Sequence, residues 1–142
     1  MSKATEQLAA ARAALNARCN TVEEAYEFML AYAGQGLTSD SGSAKGTQVR
    51  DFLGKAEAAL GGLSEFIGSF PESIDGESLG TYTAYFKVID QDARAARAAI
   101  ALVLAQPAIS SQVIDNLNAS IHLRALLTDL FLIDEVLKGQ QS

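Results

Sequence analysis

The sequence predicts an all-α protein, an up-down-up-down four-helix bundle. Apolar residues recur at steps of three and four through four segments, about 3–33, 47–70, 79–105 and 110–138, which is the spacing of one buried helix face. The four segments have similar lengths, roughly 36 to 46 Å at about 1.5 Å per residue, so connections that reverse direction stack them side by side. No stretch alternates apolar and polar residues with the β-branched bias of a strand.

The first segment is alanine-rich, with Ala4, Leu8, Ala11 and Leu15 on a narrow seam. At Asn20-Thr21 the pattern restarts, and Thr21-Val22-Glu23-Glu24 matches a capping box. This leaves either one kinked helix or two helices meeting at a corner. Val22, Ala25, Met29 and Tyr32 carry the apolar side on to Gly34. Residues 34–46, GQGLTSDSGSAKG, lack core-forming residues and read as a flexible Gly/Ser loop.

The second segment has the seam Val49, Leu53, Ala56, Leu60, Leu63, Ile67 and Phe70. Gly54, Gly61 and Gly68 recur along it every seven residues, with Ala58 between the first two. Glycine costs about 1 kcal/mol against alanine inside a helix, so the stripe implies close approach of another backbone, in this chain or a second copy. A shallow ligand groove is the other reading, and Gly61-Gly62 could alternatively break the helix. Pro71 to Ser78 is a turn-rich connector. The third segment follows with Leu79, Tyr82, Phe86, Ile89, Ala93, Ala96, Ile100 and Val103 on one seam. Tyr85 lies off that seam and is a candidate pocket or contact residue. Asp90, Asp92, Arg94 and Arg97 read as a solvated face.

Pro107 closes the third segment, and Ser110 is placed to cap the last, with Ile109 and Ile114 as a hydrophobic staple. Its apolar residues begin with Val113, Ile114, Leu117 and Ile121, and a second row then takes over through Leu123, Leu126, Leu130, Ile133 and Leu137. Phe131, Leu132 and Val136 lie outside both rows. A helix apolar on more than one face is central in its bundle or shared with a second chain. Leu132 and Val136 therefore join Gly54, Ala58, Gly61 and Gly68 as the candidate contact surface.

The chain has 142 residues, 49% of them hydrophobic, so a single domain with one core is expected. Its net charge is −6, from 17 acidic and 11 basic residues. That balance argues against nucleic acid and anionic membranes as partners, since phosphate binding needs a concentrated basic surface. The longest apolar run, Ala98 to Ala105, is far short of a membrane span of about 20 residues. With Cys19 as the single cysteine there is no internal disulfide and no Cys-x-x-Cys site. A cytoplasmic protein is the simplest expectation.

One histidine excludes a ferritin-like di-iron site, which needs Glu-x-x-His on two helices. A c-type haem motif is absent, and antiparallel first and last helices would put Met29 near Ile114, two turns from His122. Neither a phosphate-cradling glycine loop nor a nucleophile-base spacing occurs. No metal site, cofactor or catalytic residue is therefore assigned. His122 shares a helical face with Asp115, Asn118 and Asp129. An exposed lone histidine, in the string His122-Leu123-Arg124-Ala125, resembles the histidine phosphotransfer domains, whose pattern is His-x-x-Lys-Gly. Here the basic residue is displaced and no glycine follows. The resemblance implies phosphotransfer through His122. The leading expectation is a non-catalytic bundle acting through protein contacts, as an adaptor, chaperone-like binder or accessory subunit, with a homodimer covering the surplus apolar surface. A small-molecule-binding bundle with a pocket near Tyr85 is the third reading.

Overall fold

Among the described residues, the segments whose apolar residues recur by three and four are helical, and most of those residues face inward. The computed structural model describes residues 3–63, 66–67 and 79–140, and these form five α-helices with no strand among them. They are α1 (Lys3–Ala33), α2 (Ala44–Gly61), α3 (Leu79–Leu104), α4 (Ser111–Ala119) and α5 (His122–Gln140). Gly68, Phe70 and the connector 71–78 lie outside the described residues. Helix α1 packs on α2, α4 and α5, while α3 packs on α2 and α5 and less extensively on α4. The shared core includes Leu15, Met29, Tyr32, Leu53, Ile89, Ile100, Ile114, Leu126 and Leu130.

Helix α1 runs without a break through Asn20-Thr21. Thr21 does not cap a new helix there. Its hydroxyl donates to the Ala17 carbonyl one turn back (3.2 Å), satisfying itself inside the helix. Helix α2 starts at Ala44, three residues before the expected start at 47, because Ser43 accepts from the Gly46 N–H (2.9 Å) and caps the first turn. Residues 44–46 are thus helix rather than loop. At its other end α2 stops at Gly61, with Gly62 as its cap, instead of continuing unbroken to 70. Helical bonding resumes just beyond, where the Phe66 N–H donates to the Gly62 carbonyl (3.2 Å).

The predicted last helix is two helices. Ser110 caps α4 as its sequence suggests, accepting from Val113 N–H (3.0 Å), but the chain turns at Ser120-Ile121 before α5 begins. The reason lies in the two apolar rows. At about 100° per residue, Ile114 and Leu117 point roughly 180° away from Leu126, Leu130 and Ile133, so one straight helix cannot bury both against the same core. The corner re-aims α5, and all five residues are buried. It leaves Ile121 58% exposed and in the left-handed region, at φ 63°. A β-branched side chain is strained there. Replacing Ile121 with asparagine, which tolerates this conformation, should raise unfolding stability in urea by about 1 kcal/mol. A loss of stability would show that the Ile121 side chain matters more than its backbone.

One end of the bundle is tied by polar contacts. The Tyr32 hydroxyl donates to the Ile109 carbonyl (2.7 Å), and the Ser111 hydroxyl donates to the Tyr32 carbonyl (2.7 Å). Asp40, in the 34–43 connection, accepts from the Ile109 N–H (2.8 Å) and from Arg50 Nε (2.6 Å). Arg50 also donates to the carbonyls of Leu104 (3.1 Å) and Gln106 (2.8 Å). These donors hold the Asp40 carboxyl below its ordinary value, the Arg50 bond most of all.

Candidate functional site

Helices α3 and α5 meet along a seam with two distinct parts. Towards the start of α3, Thr81, Tyr82 and Tyr85 face Leu132, Ile133 and Val136 of α5 across an open, mainly apolar groove of about 340 Å³. Leu132 and Val136 remain 53% and 42% exposed. Beside it, the Tyr85 hydroxyl approaches Asp129 Oδ1 at 3.3 Å, and Asp92, one helical face along from Tyr85, lies against the same carboxyl. Asp129 Oδ2 is shielded from solvent and has no donor beside it among the described residues. Two ionised carboxylates only accept, so Asp92 and Asp129 bond to each other only when one carries a proton.

That arrangement pushes the Asp129 carboxyl up to about 7, through burial first and then through the bond and charge of Asp92, with the Tyr85 hydroxyl pulling the other way. The Tyr85 hydroxyl is itself pushed up, by burial and then by Asp129. Tyr85 is the joint between the parts, since its ring lines the groove while its hydroxyl reaches the acid pair.

On the other flank of α5 a second groove, of about 300 Å³, runs against α1. Its lining combines the apolar side chains of Tyr26, Leu30, Leu127 and Phe131 with Thr128, Glu23, Glu27 and Arg124. Phe131 and Leu30 are about half exposed. The outward face of α5 is therefore an apolar ridge between two grooves.

Of the residues singled out in the sequence, Tyr85, Leu132 and Val136 come together in the first groove. Of the glycine stripe, the described residues Gly54, Ala58 and Gly61 do not line that groove. Gly54 and Ala58 sit exposed on α2, and a side chain at Gly54 would meet nothing among the described residues. At Gly61 the space is filled by a side chain, not by a neighbouring backbone. A Cβ there would lie 3.2 Å from Arg97 Cζ, and one at Gly62 would lie 2.9 Å from Arg18 Nη1. Arg18 also donates to the Ala59 carbonyl (3.1 Å) and lies 5.4 Å from the Phe66 ring centre. Two cations thus cross the carbonyl end of α2, where the helix dipole favours them.

His122 is exposed at the first position of α5. The corner at Ser120-Ile121 takes Asp115 and Asn118 onto a different helix, so the polar face expected to join them to His122 and Asp129 is not continuous. Asn118 turns instead to α1, donating to the Met29 carbonyl (3.3 Å). The sequence also reads Asp92 as part of a solvated face with Asp90, Arg94 and Arg97. Arg94 does pair with Asp90 in the open (3.0 Å), while Asp92 turns to Asp129.

Among the described residues no group of three or more His, Cys, Asp and Glu is placed to hold a metal ion, and no helix is long and apolar enough to cross a membrane. Compared with known protein families, curated proteins and solved structures, the chain matches none.

Proposed function

We propose that the protein is a non-catalytic helical bundle that works through protein contacts made by the outward face of α5. The observation that carries this reading is the ridge of Phe131, Leu132 and Val136, extended by Leu30 on α1, each large, apolar and roughly half exposed. Contiguous exposed apolar surface of this kind, rimmed by charge, is characteristic of a contact site. A second copy of the chain is the partner we assign. In architecture it is an up-down-up-down four-helix bundle whose fourth position is shared by α4 and α5, consistent with the packing of α1, α2, α3 and α5 on one another in turn. Its one thiol, buried and unpaired, fits a cytoplasmic setting.

Native mass spectrometry of the chain purified from its own cells tests the reading. The expected mass is a multiple of 15.0 kDa or includes a second polypeptide. Phe131→Asp or Leu132→Asp should reduce it to the bare monomer while helical content is kept, because both side chains face solvent. A wild-type chain that is already a bare monomer sinks the reading.

A second reading rests on the α3–α5 groove, whose Tyr85 hydroxyl adjoins a carboxyl pair behind an apolar lining. Such a groove suits a small, largely apolar ligand with one polar group. A ligand would appear as a rise in melting temperature that Tyr85→Ala removes, and a metabolite screen without any shift would count against it.

A further inference from the structure

We propose that two copies of the chain join by exchanging α5: the Ser120-Ile121 corner opens, α4 and α5 become one helix, and each α5 packs on α1 and α3 of the partner subunit. This goes beyond the contact reading above, which uses the outward face of α5, whereas exchange uses the buried one. The corner is the first reason. Ser111 to Lys138 contains neither glycine nor proline, so no residue there stops a helix from running through. Ile121 instead holds a left-handed φ of 63° with its side chain exposed, and straightening relieves the strain this puts on a β-branched residue. In a straight helix Ile121 stands seven residues from Ile114, about 20° round the axis, and extends the first apolar row.

The second reason is the opposition of the two apolar rows. In a straight helix Ile114 and Leu117 face the chain's own body, while Leu126, Leu130 and Ile133 point roughly 180° away. That far side needs a second core. The surface that fits it is α1 and α3 of another copy, since these are the helices α5 packs on within the chain. Contacts between α5 and α4 are slight, so opening the corner gives up little that exchange does not return. Helix α4 stays behind, tied to α1 by Ser111 on the Tyr32 carbonyl (2.7 Å) and by Asn118 on the Met29 carbonyl (3.3 Å). Exchange of an identical element is a low-cost route to a dimer, and a short strained hinge favours it. Each α3–α5 groove is then shared, with Tyr85 from one chain and the partner's Asp129, Leu132 and Val136.

The ion pair between Arg12 on α1 and Asp134 on α5 (3.0 Å) provides the test. Arg12→Asp and Asp134→Arg each set like charges together within one chain. Refolded together from urea in equal amounts, the two variants restore both opposite-charge contacts only in an exchanged heterodimer. Native mass spectrometry should show that heterodimer roughly tenfold or more above either homodimer. A heterodimer no more abundant than random pairing gives, or none, overturns exchange. Ile121→Asn, which stabilises the corner in both chains, should weaken association of the otherwise wild-type protein roughly tenfold. Association unchanged by it overturns the opened corner. Leu132→Asp separates the two readings. A wild-type dimer lost in Leu132→Asp, with random pairing in the charge mixture, overturns exchange and leaves the contact reading standing. A heterodimer that survives Leu132→Asp in both chains supports exchange and overturns the outward face as the joint.

Discussion

Gly46→Ala is expected to destabilise the protein by about 2 to 3 kcal/mol, although it replaces a poor helix former with the best one. Gly46 is buried in the first turn of α2, and a Cβ there would run into the backbone carbonyl of Asp40. The obstacle is main chain, which cannot swing aside as a side-chain tip would. The 34–43 connection has to retreat, and it would carry Asp40 away from both Arg50 and the Ile109 N–H. Leaving those donors short of partners costs more than helix propensity returns. Gly54→Ala is the control, because its new methyl group would meet nothing; it should stabilise by up to about 1 kcal/mol. Urea denaturation of the pair decides the matter. If Gly46→Ala also gains stability, the connection yields freely and its polar ties contribute little.

Asp129→Asn should stabilise the protein above neutral pH and flatten the pH dependence of its stability. The ordinary carboxyl value is 3.8, and the folded protein raises it to about 7. Between those values the folded state binds more protons than the unfolded chain, so stability falls as pH rises through the interval. Below it both states are protonated and the penalty vanishes. Above it the seam holds the full repulsion of Asp92 and Asp129. Solvent reaches this seam, so the gain from asparagine at pH 8 is discounted to about 1 to 2 kcal/mol. Thermal melts of both proteins from pH 5 to 8 would show it. Parallel pH profiles would mean that the two carboxyls do not share a proton.

The seams were legible because their spacing records burial directly. Val49, Leu53, Ala56 and Leu60 on α2, and Phe86, Ile89, Ala93 and Ala96 on α3, are all buried. The corner at Ser120-Ile121 left its mark too, as the half-turn jump between two apolar rows. The same jump describes a straight helix buried on two sides, and spacing alone does not separate the cases. At Thr21 the converse occurred, a capping sequence whose hydroxyl found a partner inside its own helix.

The acid pair was not legible, because Asp92 on α3 and Asp129 on α5 meet only once the two helices are aligned. The available signal was the seven-residue step from Tyr85 to Asp92, which puts both on one face of α3. Neighbouring arginines suggested a solvated cluster instead. Gly61 is ambiguous for a related reason: glycine shows that room is needed, not whether backbone or, as here, an arginine fills it.

Cys19 gives the protein a built-in clock. It is the chain's one thiol, buried on α1, with its pKa pushed up to about 11 by burial first and then by Glu23 and Asp134. Reagents attack the thiolate, which is scarce at neutral pH and out of reach while the helices stay packed. The rate at which a maleimide labels the chain therefore counts how often α1 comes away from its neighbours. Because only one atom reacts, that count needs no assignment of signals and belongs to a single place in the fold.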